Sequence, residues 1–334
     1  MKLKSIKTVV VSLTVAGVTF LAISWGPFGH EHINKAAVLA LPEPVRTFFY
    51  NHIDFVTQES TVPDLRKYTL RDNAEKPRHF IDLENYGASD TIPKTSELAK
   101  KKYDEKFLSS NGILPWYIQD VMVKLTKAFK DKRKTEILFL AADLGHYIGD
   151  AHMPLHTAVN HDGLLTNQKG IHALWEARIP EMFGKDYNFH TEDAKYITNI
   201  EATTWSIIND SHSLIAPLLL ADKNLRDAIG VDKMYNLDVK GAIAKNKFND
   251  LIHTDDYVKR YNQALNGMVE KQLRKAIVMT SSYWYTAWVN AGKPDLSSLD
   301  TPEQTERNKE NLKADLKLWS QGKLFGLESE KDFD

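Results

Sequence analysis

From residue 26 onward, apolar positions recur at three- and four-residue spacing, and strict alternation is weak everywhere. That is the signature of amphipathic helices rather than half-buried strands. The stretch 30–41 sets Ile33, Ala36, Ala37 and Ala40 on one side and stops at Pro42. The stretch 114–129 opens on Pro115 and runs Ile118, Val121, Met122, Leu125 and Phe129 along one stripe. Residues 135–151 are apolar on several faces (Ile137, Leu138, Leu140, Ala141, Leu144, Ile148), which predicts a buried central helix. Shorter helices are predicted over 171–183, 199–208 and 213–220. A single long one is predicted over 257–291, through Tyr261, Leu265, Met268, Leu273, Ile277, Trp284 and Trp288. The charged stretch 301–322, marked by Leu312, Leu316 and Trp319, predicts a peripheral helix, and 326–334 a frayed tail. Polar, turn-rich stretches at 72–76, 87–94 and 160–169 read as loops. There is no internal repeat and no low-complexity linker. The fold class expected is all-α, a single multi-helix domain over 25–325 with loops gathered on one face.

The first 24 residues carry a different pattern. Lys2, Lys4 and Lys7 precede an uncharged apolar run from Val9 to Ile23, and Ala22 and Ser24 stand at the −3 and −1 positions of a small-residue cleavage site. This is the tripartite plan of a secretory signal peptide cut before Trp25. The run is shorter than the ~20 residues that a membrane span prefers. Export, to the periplasm or outside the cell, is therefore expected, with Trp25 bearing the new α-amino group.

Composition changes the picture only in part. The 334 residues include 43 basic and 44 acidic side chains, 12 His and no Cys. Near-neutral charge argues against a binder that works by neutralising phosphates. Loss of three lysines with the leader would leave 40 basic residues against the 44 acidic, a balance of −4. Absence of Cys excludes disulfides, thiolate zinc sites and a Cys nucleophile. Any metal must be held by His, Asp, Glu or backbone groups.

Two helical pairs stand out. His146 and Asp150 are four apart in L-G-H-Y-I-G-D, and His172 and Glu176 are four apart in G-I-H-A-L-W-E. Residues four apart share a helix face, with Cβ atoms about 5–6 Å apart, close enough to bind one ion. A lone buried His is more often a hydrogen-bonded core residue than a ligand. Two His/acid pairs within 31 residues, the first on a helix too apolar to hide an unpaired carboxylate, favour metal. His156 follows in M-P-L-H, beyond Pro154. Upstream lie Trp25 and His30 in W-G-P-F-G-H, Asp64 in V-P-D-L-R-K, and His79 in P-R-H-F-I-D.

In these residues and their order, the chain resembles the zinc-dependent phospholipase C / S1-P1 nuclease superfamily of exported, all-α phosphodiesterases with three zinc ions. The resemblance spans about residues 25–185; beyond it the chain matches only in being helical. It implies one zinc held by Asp64, His79, His146 and Asp150. It implies a second on the α-amino nitrogen and carbonyl oxygen of Trp25, on His30 and on a bridging Asp150. The third would be held by His156, His172 and Glu176. It also implies that Asp64 orients or deprotonates the attacking water. Arg66 and Lys67 are the candidates for gripping phosphate: the nucleases usually place an Arg three residues after this Asp, where Lys67 stands here.

Within the superfamily the signs are mixed. W-G-x-x-G-H resembles the nuclease start, and Phe80 and Asp82 fall where nucleases stack on a base and hydrogen-bond its edge. Glu176 instead of Asp, and the short stretch between His156 and His172, resemble the phospholipases, yet Phe28 and Leu65 stand where an acid and an aromatic would line a choline pocket. The expected activity is a zinc phosphodiesterase, leaning to nuclease or nucleotidase, with phospholipase C as the alternative and a non-catalytic zinc protein as the contrasting class. The expected partner is a phosphodiester substrate, with no stable protein partner implied. Structural zinc sites usually have four protein ligands, whereas the third set offers three, which favours an open, catalytic position. His32, His152 and His161 lie beside the motifs and are expected to support or flank them.

Overall fold

The structure, a computed structural model, describes residues 26–245 and 251–324. The leader, Trp25 and the expected frayed tail lie outside the described residues. Nine principal helices carry the argument: α1 (Gly26–Leu39), α2 (Val62–Tyr68), α3 (Leu114–Lys130), α4 (Lys134–Ala151), α5 (Ile200–Ser213), α6 (Ile215–Ile229), α7 (Asp255–Ala264), α8 (Met268–Asn290) and α9 (Pro302–Trp319). Among the described residues, extended pairing is limited to isolated bridges, Tyr235 with His253, Leu237 with Ile243 and Lys245 with Leu251. The chain is all-α, as its periodicity predicts. No helix among the described residues is long and apolar enough to cross a membrane.

Helix α4 is the axle. Its Ile137, Ala141, Ala142, Leu144, Tyr147 and Ile148 are fully buried, because α3, α1 and α8 close on its different sides. Burying a Leu- or Ile-sized side chain stabilises by about 1.5–3 kcal/mol. Trp284 of α8 donates its indole N–H to Ala141 O at 2.9 Å and stacks on Phe49 at 4.9 Å. Two glycines let α1 come closer than side chains allow. A Cβ on Gly145 would lie 1.9 Å from Asn34 Oδ1, and one on Gly149 would lie 3.1 Å from His30 Nδ1. Asn34, with no exposed surface, fills the first gap and donates to Val56 O and Ala142 O.

The C-terminal third secures the end of α4. Ser211 Oγ donates to Ala151 O at 2.7 Å, Gln272 Nε2 to His152 O at 2.8 Å, and His212 Nδ1 to Thr157 O at 2.9 Å. These bonds satisfy carbonyls that a helix end leaves without intrahelical partners.

Three expectations are corrected. The stretch 257–291 is two helices, α7 and α8, because Asn266 (φ 50°) and Gly267 (φ 73°) take left-handed conformations between them. The stretch 171–183 is not a plain α-helix: a π-turn, Leu174–Arg178, sits inside it. Short helices at Ser96–Lys102 and Glu105–Asn111 went unforeseen; each spans about two turns, too little for a periodic stripe. Their ends are capped by Thr95 and Asp104 side chains, which accept from Leu98 N and Phe107 N.

Candidate metal centre

Each ligand expected from the sequence sits where its local structure puts it. Helix periodicity places His146 and Asp150 on one face of α4. The close approach at Gly145 and Gly149 brings in His30 of α1, whose ring stacks on His146 with centroids 3.8 Å apart. Pro63 starts α2 and sets Asp64 in its first turn. The 3₁₀ turn Lys76–His79 presents His79, and the turn Pro154–Thr157 presents His156. The π-turn carries Glu176; such bulges are frequent at functional sites.

These side chains converge. His79 Nδ1 lies 2.9 Å from Asp150 Oδ2, 3.1 Å from His146 Nε2 and 3.6 Å from Asp64 Oδ1. His146 Nε2 lies 3.2 Å from Asp150 Oδ2 and 3.9 Å from Asp64 Oδ1. His30 Nε2 is 3.7 Å from Asp150 Oδ1. On the far side, His156 Nδ1 lies 3.2 Å from the same Oδ1, and its Nε2 3.5 Å from Glu176 Oε1; His172 Nε2 lies 2.6 Å from Glu176 Oε2. Three groups have ligand atoms within 4.8 Å of one another: His79, His146 and Asp150; His30, Asp64 and His146; and His156, His172 and Glu176. The second differs from the expectation in pairing His30 with Asp64 as well as lying near Asp150. Trp25, its expected companion, is outside the described residues.

Burial sets the electrostatics. All of these groups except His172 are buried. Burial pushes the Asp64 carboxyl up to about 7. Burial and the Lys67 ammonium pull His79 down to about 4. Against the downward pull of burial, Asp150 and Asp64 hold His146 up at about 9. Against the upward push of burial, His146 and His156 hold Asp150 well below the carboxylate range. In the same way, His172 and His156 hold Glu176 low. At His146 and His172, which nearby carboxylates raise against burial, a proton thus stands where cationic charge is needed. Asp64 Oδ1, His156 Nδ1 and Glu176 Oε1 are buried and make no hydrogen bond among the described residues. Unsatisfied buried polar atoms are costly, and convergent N and O donors without one suit divalent metal ions.

The groups behind the ligands were mostly missed from sequence. Ser60 O lies 2.7 Å from His146 Nδ1, and His161 O lies 2.9 Å from His172 Nδ1. Glu75, fully buried, faces His79 Nε2 from 3.5 Å; it lies four residues before His79, the one sequence signal that could have found it. Arg66 corrects an expectation: its guanidinium is engaged by Glu75 (2.9 Å) and Asp143 (2.7 Å), so it braces the centre from behind. Lys67 Nζ lies 3.7 Å from Asp64 Oδ1, at the ligands themselves. Phe80 is half-buried and extended, against Gly112, while the next residue, Ile81, donates its N–H to His156 O at 2.8 Å. Asp82 is half-buried, and burial with Glu84 raises its carboxyl to about 6. His32 and His152 are buried and bond to Phe28 O and Ile148 O, their own helix carbonyls.

An all-α chain that brings five imidazoles and three carboxylates together has the donor set of a metal centre. The comparisons narrow it: the S1/P1 Nuclease family model matches residues 25–279, and the chain belongs to that family. It is similar to Nuclease S1 of Aspergillus oryzae, with 23% identity over 301 residues, covering 84% of this chain and 96% of that protein. Membership makes this a nuclease-type phosphodiesterase.

Proposed function

We propose that the protein is an exported, zinc-dependent nuclease that hydrolyses single-stranded nucleic acid or 3′-nucleotides at a three-zinc centre. The observation that carries this is the convergence of Asp64, His79, His146 and Asp150, joined through Asp150 to His156, His172 and Glu176, in a chain of this family. The proposed ligand sets are Asp64, His79, His146 and Asp150; Trp25, His30 and Asp150; and His156, His172 and Glu176. Zinc bound there supplies Lewis acidity toward phosphoryl oxygens and brings the pKa of water toward ~7.

The chain's own residues do the rest. Asp64 orients the attacking water or takes its proton, standing among the ligands 3.6 Å from His79 Nδ1 and 3.9 Å from His146 Nε2. Lys67 remains an ammonium, because Asp64 offsets the effect of burial, and it grips a phosphate oxygen. Phe80 stacks on a base and Asp82 meets its edge; aromatic stacking tolerates any base. Export rests on the tripartite leader, whose small-residue site places the proposed cut before Trp25.

The test is a substrate panel on protein with an authentic Trp25 N-terminus: single-stranded DNA, RNA, 3′-mononucleotides and phosphatidylcholine, with bound zinc counted by atomic emission. Cleavage of the nucleic acids with about three zinc ions per chain supports the reading. Hydrolysis of phosphatidylcholine alone would replace it with a phospholipase C. Full zinc loading with no hydrolysis at any pH would leave a non-catalytic zinc protein.

A further inference from the structure

Beneath the ligands lies a second charged cluster that the proposed chemistry does not use. Glu75 has no exposed surface. Its Oε2 accepts from Arg66 Nε at 2.9 Å and Arg78 Nη1 at 2.8 Å, while its Oε1 accepts from the Tyr147 hydroxyl and faces His79 Nε2 at 3.5 Å. Arg66 extends to Asp143 and also donates to the Tyr147 oxygen at 3.2 Å. Arg78 lies over the Tyr117 ring at 4.5 Å. Two guanidiniums thus hold one carboxylate in place, and its other oxygen, which also accepts from Tyr147, faces one imidazole.

We infer that Glu75 is a positioning residue that fixes His79 as its Nε2–H tautomer. The inference rests on the proposed metal centre, since it is the other nitrogen, Nδ1, that points at Asp64, His146 and Asp150. A neutral imidazole has one donor and one acceptor nitrogen, and the partner of one decides the state of the other. Without a cation, Asp150 Oδ2 at 2.9 Å competes for the proton at Nδ1; with one in place among the carboxylates, the acceptor-only Glu75 behind Nε2 would hold the proton there and leave the Nδ1 lone pair for the metal. Carboxylates behind metal-binding imidazoles orient the ring and raise its basicity. Arg66 and Arg78 add a safeguard: both donate to Glu75 Oε2, at 2.9 and 2.8 Å, which holds the carboxylate in an acceptor role.

The discriminating variant is Glu75→Gln. The two guanidiniums demand an acceptor on their side, so the amide oxygen turns to them and the NH₂ faces His79. Nε2 must then accept, the proton moves to Nδ1, and the metal-facing lone pair is lost. Full-length protein, before and after zinc loading, is followed by ¹⁵N-resolved imidazole spectra at pH 8 and by competition with a graded chelator. The expected result is an Nε2–H tautomer in the zinc-loaded parent and, where Glu75→Gln gives up that zinc, an Nδ1–H tautomer facing Asp150. One zinc ion should be held about ten- to hundredfold more weakly, with the others unchanged. Glu75→Asp, which keeps the acceptor, should recover most of the affinity. The same tautomer and the same zinc retention in parent and Glu75→Gln would overturn the inference, even if the variant melts at lower temperature. A parent that holds no zinc would sink the metal reading and this inference with it, an outcome distinct from equal zinc retention in parent and variant.

Discussion

Adding one methyl group at Gly145 should do more harm than its size suggests. In an exposed helix, Gly→Ala stabilises by about 1 kcal/mol. Here the new Cβ would stand 1.9 Å from Asn34 Oδ1 and 2.8 Å from its Cγ. Asn34 is short, fully buried and held by hydrogen bonds to Val56 O and Ala142 O, so it cannot swing into solvent. Relief requires giving up those two bonds, worth about 1 kcal/mol each, and leaving a buried amide unpaired at about 1–3 kcal/mol. Set against the helix gain, the net is a destabilisation of about 2–4 kcal/mol for Gly145→Ala. The alternative relief, parting α1 from α4, pulls His30 away from His146 and should also lower metal retention. Urea unfolding of the parent, Gly145→Ala, Asn34→Ala and the double variant measures this as a cycle. The double variant removes the clashing atoms, so the two changes should couple by about 2 kcal/mol, within the range seen for contacting residues. Additive effects, or a Gly145→Ala protein more stable than the parent, would refute the close-approach argument.

His146→Ala should abolish hydrolysis and lower the zinc count, because His146 Nε2 meets Asp64, His79 and Asp150 at once; activity surviving the change would show the ligand assignment to be wrong. Asp222 is a fully buried anchor between the C-terminal third and the loop before His172. It accepts from Gln168 Nε2 at 2.7 Å, Arg226 Nε at 2.5 Å and the Tyr257 hydroxyl. Asp222→Ala should cost about 3–5 kcal/mol by stranding Arg226 and should loosen the ion on His156, His172 and Glu176 before the others; zinc release in order under chelator titration checks it. His253, buried between Tyr235 and Tyr257, is held down to about 3 by burial and by Arg226. It stays neutral in the fold while the unfolded chain takes up a proton near 6.5. The unfolded state therefore binds more protons between pH 6.5 and about 3, so stability falls as pH drops through that window, by about 1 kcal/mol per unit near pH 5. His253→Phe should flatten the pH slope of the urea midpoint by that amount; equal slopes would refute it.

Much of the centre was legible in the sequence because its spacing is local. A helix of 3.6 residues per turn fixes where residue i+4 stands, so His146 with Asp150 and His172 with Glu176 could be read directly. The apolarity of 135–151 on several faces likewise announced the axle of the fold. The break between α7 and α8 was hidden, because Leu265 and Met268 continue the apolar stripe across Asn266 and Gly267, and only their left-handed backbone interrupts it.

What depends on residues distant in sequence was settled by tertiary packing. Arg66 and Lys67 are adjacent and chemically alike, yet α2 turns one to Glu75 and Asp143 and the other to Asp64. Periodicity could not separate them, because the difference lies in what stands opposite each. The helices beyond residue 190 carry none of the proposed ligands, but Ser211, His212 and Gln272 hold the end of α4, and Asp222 holds the loop before His172. The sequence by itself determined which side chains could bind a metal and which pairs share a helix face, since covalent spacing and helix pitch decide that. Only the tertiary structure decided that His30, Asp64, His79 and His156 meet those pairs, because it takes the close packing of α1 on α4 at two glycines, and two well-placed turns, to bring distant ligands within a metal's reach.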